Sequence, residues 1–129
     1  SGHEVQLGTT PVTTDEEDRK ILRTNLSVEG QVLPVFIVLN NSVYTYVYVQ
    51  LANIILDKAE KVLPYMNEMN DRYAMLKYLV RQNGNMILSC CLINSDDAFN
   101  PALVFGILDQ MKLHLEENYS DLMGRLWGN

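Results

Sequence analysis

Between Ile21 and Val28 apolar and polar residues alternate: Leu22, Thr24, Leu26 and Val28 fall on one side, Arg23, Asn25 and Ser27 on the other. A repeat of two is that of a strand with one buried face, so this segment predicts a half-buried strand. Glu29-Gly30 supplies a turn. Val32, Leu33, Val35, Phe36, Ile37, Val38 and Leu39 then place apolar groups on both sides, the pattern of a central strand covered twice. A second turn is expected at Asn40-Asn41-Ser42, and Val43 to Leu51 is dense in the β-branched and aromatic residues that favour strands. Together these segments predict an antiparallel three-strand meander.

The repeat changes after Ala52. Ala59, Val62, Met66 and Met69 share one face at helical spacing, and Asp57-Lys58-Ala59-Glu60 has the form of a capping box. Pro64 removes the bond to the Glu60 carbonyl, so a kinked or split helix is expected. Met75 to Gln82 and Met86 to Ile93 resemble two strands joined by Asn83-Gly84-Asn85, whose Asn-Gly pair is a strong hairpin signal. Asn100-Pro101 offers an N-cap followed by proline. Leu103, Val104, Ile107, Leu108, Met111, Leu115, Tyr119, Leu122 and Leu126 then recur at three- and four-residue steps. That predicts a long amphipathic helix, with a break at Ser120-Asp121 and an end at Gly128.

Residues 1–14 have no apolar period, and Thr14 followed by Asp15, Glu16, Glu17 and Asp18 has the form of a helix start. The chain opens Ser1-Gly2-His3, as expected of a tag remnant or a cut end. The organisation expected is a flexible or short-helical arm over residues 1–18 and a single α+β domain over 19–129. Its antiparallel sheet has about five strands, in the order β-β-β-α-β-β-α, with the helices on one face.

Composition narrows the functions open to such a domain. Apolar residues make up 47% of the chain and charged residues 20%, which separates it from disordered sequences. A formal charge of -6, without a dense Lys/Arg cluster, disfavours nucleic acid and anionic membrane as partners. The longest apolar run, Val32 to Leu39, is far short of the roughly 18 to 20 residues of a spanning helix. The cysteines, Cys90 and Cys91, are adjacent and point to opposite faces of a strand, which rules out an unstrained disulfide between them and suits a reducing, cytoplasmic setting.

Catalytic chemistry has few carriers. A thiol at Cys90 or Cys91 with His114 as base is the nearest approach to a nucleophile, but the cysteines read better as buried structural thiols that label slowly. His114, beside Lys112 and Glu116, reads as a solvated residue on the helix flank. The acidic clusters Asp15 to Asp18, Asp96-Asp97 and Glu116-Glu117 lack calcium-loop spacing, and the glycines form no phosphate loop. No catalytic residue, metal or cofactor is expected. The unusual feature is Tyr44, Tyr46 and Tyr48, which alternate with Val43, Val47 and Val49 and so project from one face of one strand. With Phe36 of the preceding strand, they are the residues expected to meet a partner; otherwise they lie across a half-wet sheet with their hydroxyls in water.

From Ile21 to Leu126 the order of elements resembles the YbjN family of small bacterial domains, whose fold is similar to type III secretion chaperones. The resemblance is carried by Val62-Leu63-Pro64-Tyr65-Met66-Asn67-Glu68-Met69-Asn70, by the Gly84 hairpin within Tyr78 to Leu92, and by the long closing helix. It implies no catalytic motif. Asn67 and Asn70 are expected to act as caps that stop the helix. The family opens with a helix that packs on the sheet, whereas residues 1–20 here are acidic and poor in apolar groups, so part of the sheet is expected to stay uncovered. The expectation is a non-enzymatic protein-interaction domain, chaperone-like or regulatory, that self-associates as a homodimer. The alternative is a small-molecule carrier or sensor with a cleft between the C-terminal helix and the sheet.

Overall fold

The computed structural model describes residues 13–14, 20–39, 44–54, 56–93 and 101–127. The expected turn at residues 40–42, the acidic clusters Asp15 to Asp18 and Asp96-Asp97, and the N-cap Asn100 lie outside the described residues. The elements are β1 (Thr13–Thr14), β2 (Lys20–Val28), β3 (Gln31–Leu39), β4 (Tyr44–Asn53), α1 (Leu56–Arg72), β5 (Lys77–Val80), β6 (Asn85–Ile93) and α2 (Pro101–Trp127). All pairings are antiparallel, and the sheet runs β1-β2-β3-β4-β6-β5. The chain is therefore α+β with five substantial strands, as its periodicity predicts. The two-residue β1 is an addition, in which Thr14 pairs with Lys20; the helix expected to follow it lies outside the described residues.

Turn chemistry sets the strand register. Glu29 (φ 52°) and Gly30 (φ 79°) both have positive φ, the requirement of the two-residue turn whose twist matches its flanking strands, and Val28 faces Gln31 across it. Gly84 (φ 90°) closes the second hairpin, where its N–H donates to the Arg81 carbonyl at 2.9 Å. Its own carbonyl accepts from the Ile54 N–H at 2.8 Å, tying this turn to the end of β4. A Cβ on Gly84 would run into the Ile54 carbonyl oxygen. Only glycine fits that approach.

Alternation then sorts the strands into two faces. Leu26, Val28, Leu33, Val35, Ile37, Val47, Val49, Leu51, Met86, Leu88 and Cys90 point to the face carrying both helices and are buried. Helix α1 adds Val62, Tyr65, Met66 and Met69, while α2 adds Val104, Leu108, Met111, Leu115, Tyr119, Leu122 and Leu126. Each large aliphatic side chain buried here contributes about 1.5–3 kcal/mol. A bulge at Leu51 sets two residues of β4 against one step of β6 between Gln50 and Ala52.

Three details depart from the expected helices. Helix α1 continues through Pro64, which with Glu60 lies on the exposed side while Val62, Tyr65, Met66 and Met69 hold the buried stripe on either side of it. Helix α2 runs unbroken past Ser120-Asp121, since Tyr119, Leu122 and Leu126 extend the buried stripe and Arg125 pairs with Asp121 at 3.4 Å. Asn70 lies within α1 and does not stop it. Its Oδ1 accepts from the Tyr78 N–H at 2.7 Å and its Nδ2 donates to the Tyr78 carbonyl at 3.2 Å, so its amide pairs like a strand with the outer edge of β5. Lys77 completes this joint by donating from Nζ to the Asn70 carbonyl at 2.7 Å.

Candidate functional site

Among the described residues, no element packs on the second face of the sheet. Register places Ile21, Val38, Tyr46 and Cys91 in one row across β2, β3, β4 and β6, and Arg23, Phe36, Tyr48 and Ser89 in the next. All four residues expected to meet a partner thus share one surface. Tyr44 is exposed, while Tyr46, Tyr48 and Phe36 are half-buried against one another. Ring centroids of Tyr44 and Tyr46 are 6.3 Å apart, and Tyr46 and Tyr48 stack at 6.0 Å with planes 5° apart. Burial and the neighbouring Cys91, Tyr48 and Tyr44 raise the Tyr46 phenol above its ordinary pKa, so Tyr46 is uncharged at neutral pH.

The expected double cover of β3 is not found. Val32 is 63% exposed and Pro34 is exposed; Val38 alone is buried among the β3 residues on this side. The apolar run at Val32–Leu39 reflects an aromatic-rimmed surface instead of a second packed layer.

Two arginines that sequence reasoning passed over complete the surface. Arg23 on β2 lies over the Phe36 ring, 5.9 Å from its centroid, and Arg81, just past β5, lies over Tyr48 at 5.4 Å. They flank a depression of about 300 Å³ lined by Ile21, Phe36, Val38, Tyr48, Gln50, Asn83, Asn85 and Ile87. The Asn85 Oδ1 accepts from Asn53 at 2.8 Å and from Gln50 at 3.3 Å, which holds this amide corner in place. Arg23 was legible as an outward position of β2, but its company required the register.

The cysteines divide between the faces: Cys90 is buried and Cys91 exposed. The adjacent-opposite reading is correct, but the expectation that both thiols are buried does not hold for Cys91. Burial raises both thiols above the usual range, and a hydrogen bond with Tyr46 partly offsets this at Cys91.

His114 overturns its sequence reading. It is 6% exposed, and its Nε2 lies 2.6 Å from the Tyr78 hydroxyl. Burial pushes the His114 pKa down, opposed by Glu117, and pushes that of Tyr78 far up, so both are neutral at pH 7. The phenol oxygen and Nε2 share one hydrogen bond, whose donor is set by the imidazole tautomer. Tyr73 packs edge-on against the imidazole at 4.6 Å, and Tyr65 packs against Tyr78 at 5.7 Å. Nε2, one of the two ring nitrogens, is held by Tyr78.

Next to His114 an open cleft of about 460 Å³ is lined by Tyr73, Met75, Leu76, Ile107, Leu113 and Glu117 among others. It lies between α2 and the α1–β5 connection, not between α2 and the sheet as expected. Among the described residues no group of three or more His, Cys, Asp or Glu side chains is placed to hold a metal ion, and no helix is long and apolar enough to cross a membrane. The chain matches no family model, no curated protein and no solved structure.

Proposed function

We propose that this chain is a non-enzymatic protein-interaction domain, chaperone-like or regulatory, whose open sheet face receives another polypeptide. The observation that carries the reading is the surface built from Phe36, Tyr44, Tyr46 and Tyr48. Four aromatic side chains sit on one face of a sheet whose other face already holds the folding core. Aromatic residues and arginine together are the composition of interface centres, with large contact area at low entropic cost. The likeness of the element order to YbjN and secretion-chaperone domains supports the same reading, which extends to a cytoplasmic setting suited to two unpaired thiols.

Self-association is part of this proposal: in the absence of a partner a second copy covers the face, giving a homodimer. Light scattering coupled to size exclusion over a dilution series tests it. The expected result is a mass that rises with concentration for the wild type and stays monomeric for Tyr46→Asp, because a carboxylate cannot be buried between two tyrosine stripes. Identical monomer masses for both proteins at every concentration would remove this face as a self-contact.

The small-ligand reading is favoured by one observation, the cleft at His114, which offers an apolar floor with Gln110 and Glu117 at its rim. Native mass spectrometry that shows an additional mass released on unfolding would move the function there.

A further inference from the structure

The open face differs from the rest of the chain in charge. The whole sequence has 16 acidic against 10 basic residues. Among the described residues, however, the strand positions on this face hold no Asp or Glu. Its cations are Arg23, Lys77 and Arg81, and Lys77 spends its ammonium on the carbonyls that end α1. The two guanidiniums are what remains, and they lean inward from opposite sides over an adjacent pair of rings, Phe36 and Tyr48, which face each other in register. Between them lies the depression of about 300 Å³, with Val38 and Ile87 in its floor and amides along one side.

We propose that this groove is the docking site for an acidic segment of a partner polypeptide. Carboxylates of that segment pair with the exposed guanidiniums of Arg23 and Arg81, and its apolar side chains settle on the aromatic floor. The proposal rests on the interaction-domain reading and names the partner's chemistry. Charge complementarity selects the occupant. A second copy docked face to face sets arginines against arginines, a repulsion an acidic segment does not incur, so the segment displaces the self-contact. A nucleic acid would bring a run of phosphates against the two arginines left on this face among the described residues, a poor exchange of counterions.

Titration calorimetry on the full chain tests the proposal with an acetylated decapeptide of alternating glutamate and valine as probe. Its glutamine counterpart and a decamer of deoxythymidine serve as controls. The expected result is binding of the glutamate probe that weakens at least about tenfold in the Arg23→Gln/Arg81→Gln double variant and falls with added salt. The glutamine peptide should bind correspondingly less well. Both arginines are exposed, so the double variant should fold, and Arg23→Lys/Arg81→Lys should restore part of the affinity by returning the charge without the planar stack. Equal affinity for the two peptides, undiminished binding to the double variant, or no binding of either peptide overturns the acidic class. The interaction reading survives those results if Tyr46→Asp still abolishes self-association, and falls with them if it does not. Tighter binding of the oligonucleotide overturns the proposal in favour of single-stranded nucleic acid.

Discussion

The two faces of this sheet are built from the same strands by the same alternation, yet they have opposite fates. On the helix side Val35, Ile37, Val47, Val49 and Leu88 are completely buried. On the other side Val32 is 63% and Ile93 71% exposed, and the surface between them is made largely of Tyr44, Tyr46, Tyr48, Phe36 and Arg23, with Val38 and Ile87 buried beneath them. Aliphatic groups need a covering layer to leave water, whereas tyrosine and arginine can shield one another with a polar end still wet. The covered face is thus a folding surface, and the open one is free to serve as a binding surface without loss of the core.

Substitutions matched across the sheet should separate these roles, and the largest effect belongs to the covered side. Leu88→Ala leaves a cavity among α1, α2 and the central strands and should destabilise the fold by about 2–5 kcal/mol in urea unfolding. Tyr46→Asp on the opposite side should cost about 1 kcal/mol, the span of strand propensity, while removing self-association. Comparable losses for both would mean that the open face is part of the core.

An intermediate effect is expected where the helix layer meets β5. Tyr78→Phe keeps the ring but leaves the buried His114 Nε2 without its hydrogen-bond partner, a loss of about 1–3 kcal/mol. Because burial lowers the His114 pKa in the folded state, the unfolded chain binds more protons there. The stability from neutral His114 is complete above the unfolded value near 6.5 and drains away as pH falls below it. Unfolding free energy should therefore drop between pH 7 and pH 5 by at most about 1.4 kcal/mol per pH unit from this site, and His114→Gln should flatten that slope. Glu117, Tyr73 and Tyr78 are the titratable groups that face the imidazole, and the Tyr78 phenol is pushed well above this range by burial.

The smallest effect is a gain. Glu29 holds a positive φ that non-glycine residues reach at some cost, and Glu29→Asn creates the favoured Asn-Gly pair for this turn. A rise of about 0.5–1 kcal/mol in thermal or urea unfolding is expected.

How much of this was legible in the sequence followed the range of the forces involved. Strand alternation, the two tight turns and the spacing of Val104, Leu108, Met111 and Leu115 are local signals, and the elements they predict are present. The tyrosine stripe is local too, since period two puts Tyr44, Tyr46 and Tyr48 on one side without knowledge of their neighbours. What failed depended on contacts across the chain. Pro64 and Ser120-Asp121 were overruled by packing of the buried stripes on either side of them. His114 looked solvated beside Lys112 and Glu116 because its partner, Tyr78, comes from a strand 36 residues away. Arg81 became part of the site only once β5 was set beside β6 and within reach of β4.

The division of labour between the faces is tested most directly by the two neighbouring thiols, one on each face. Cys91 lies in register with Tyr46 on the open side, and Cys90 is buried beneath the helices. Alkylation of the native protein, read residue by residue by mass spectrometry across a dilution series, reports both environments in one experiment. The account predicts that Cys90 reacts only as fast as the protein unfolds. Cys91 should react promptly in dilute solution and become protected as concentration rises, with that protection lost in Tyr46→Asp. A Cys91 rate that does not change with concentration and is the same in wild type and Tyr46→Asp would contradict the claim that the open face is a docking surface for a second polypeptide.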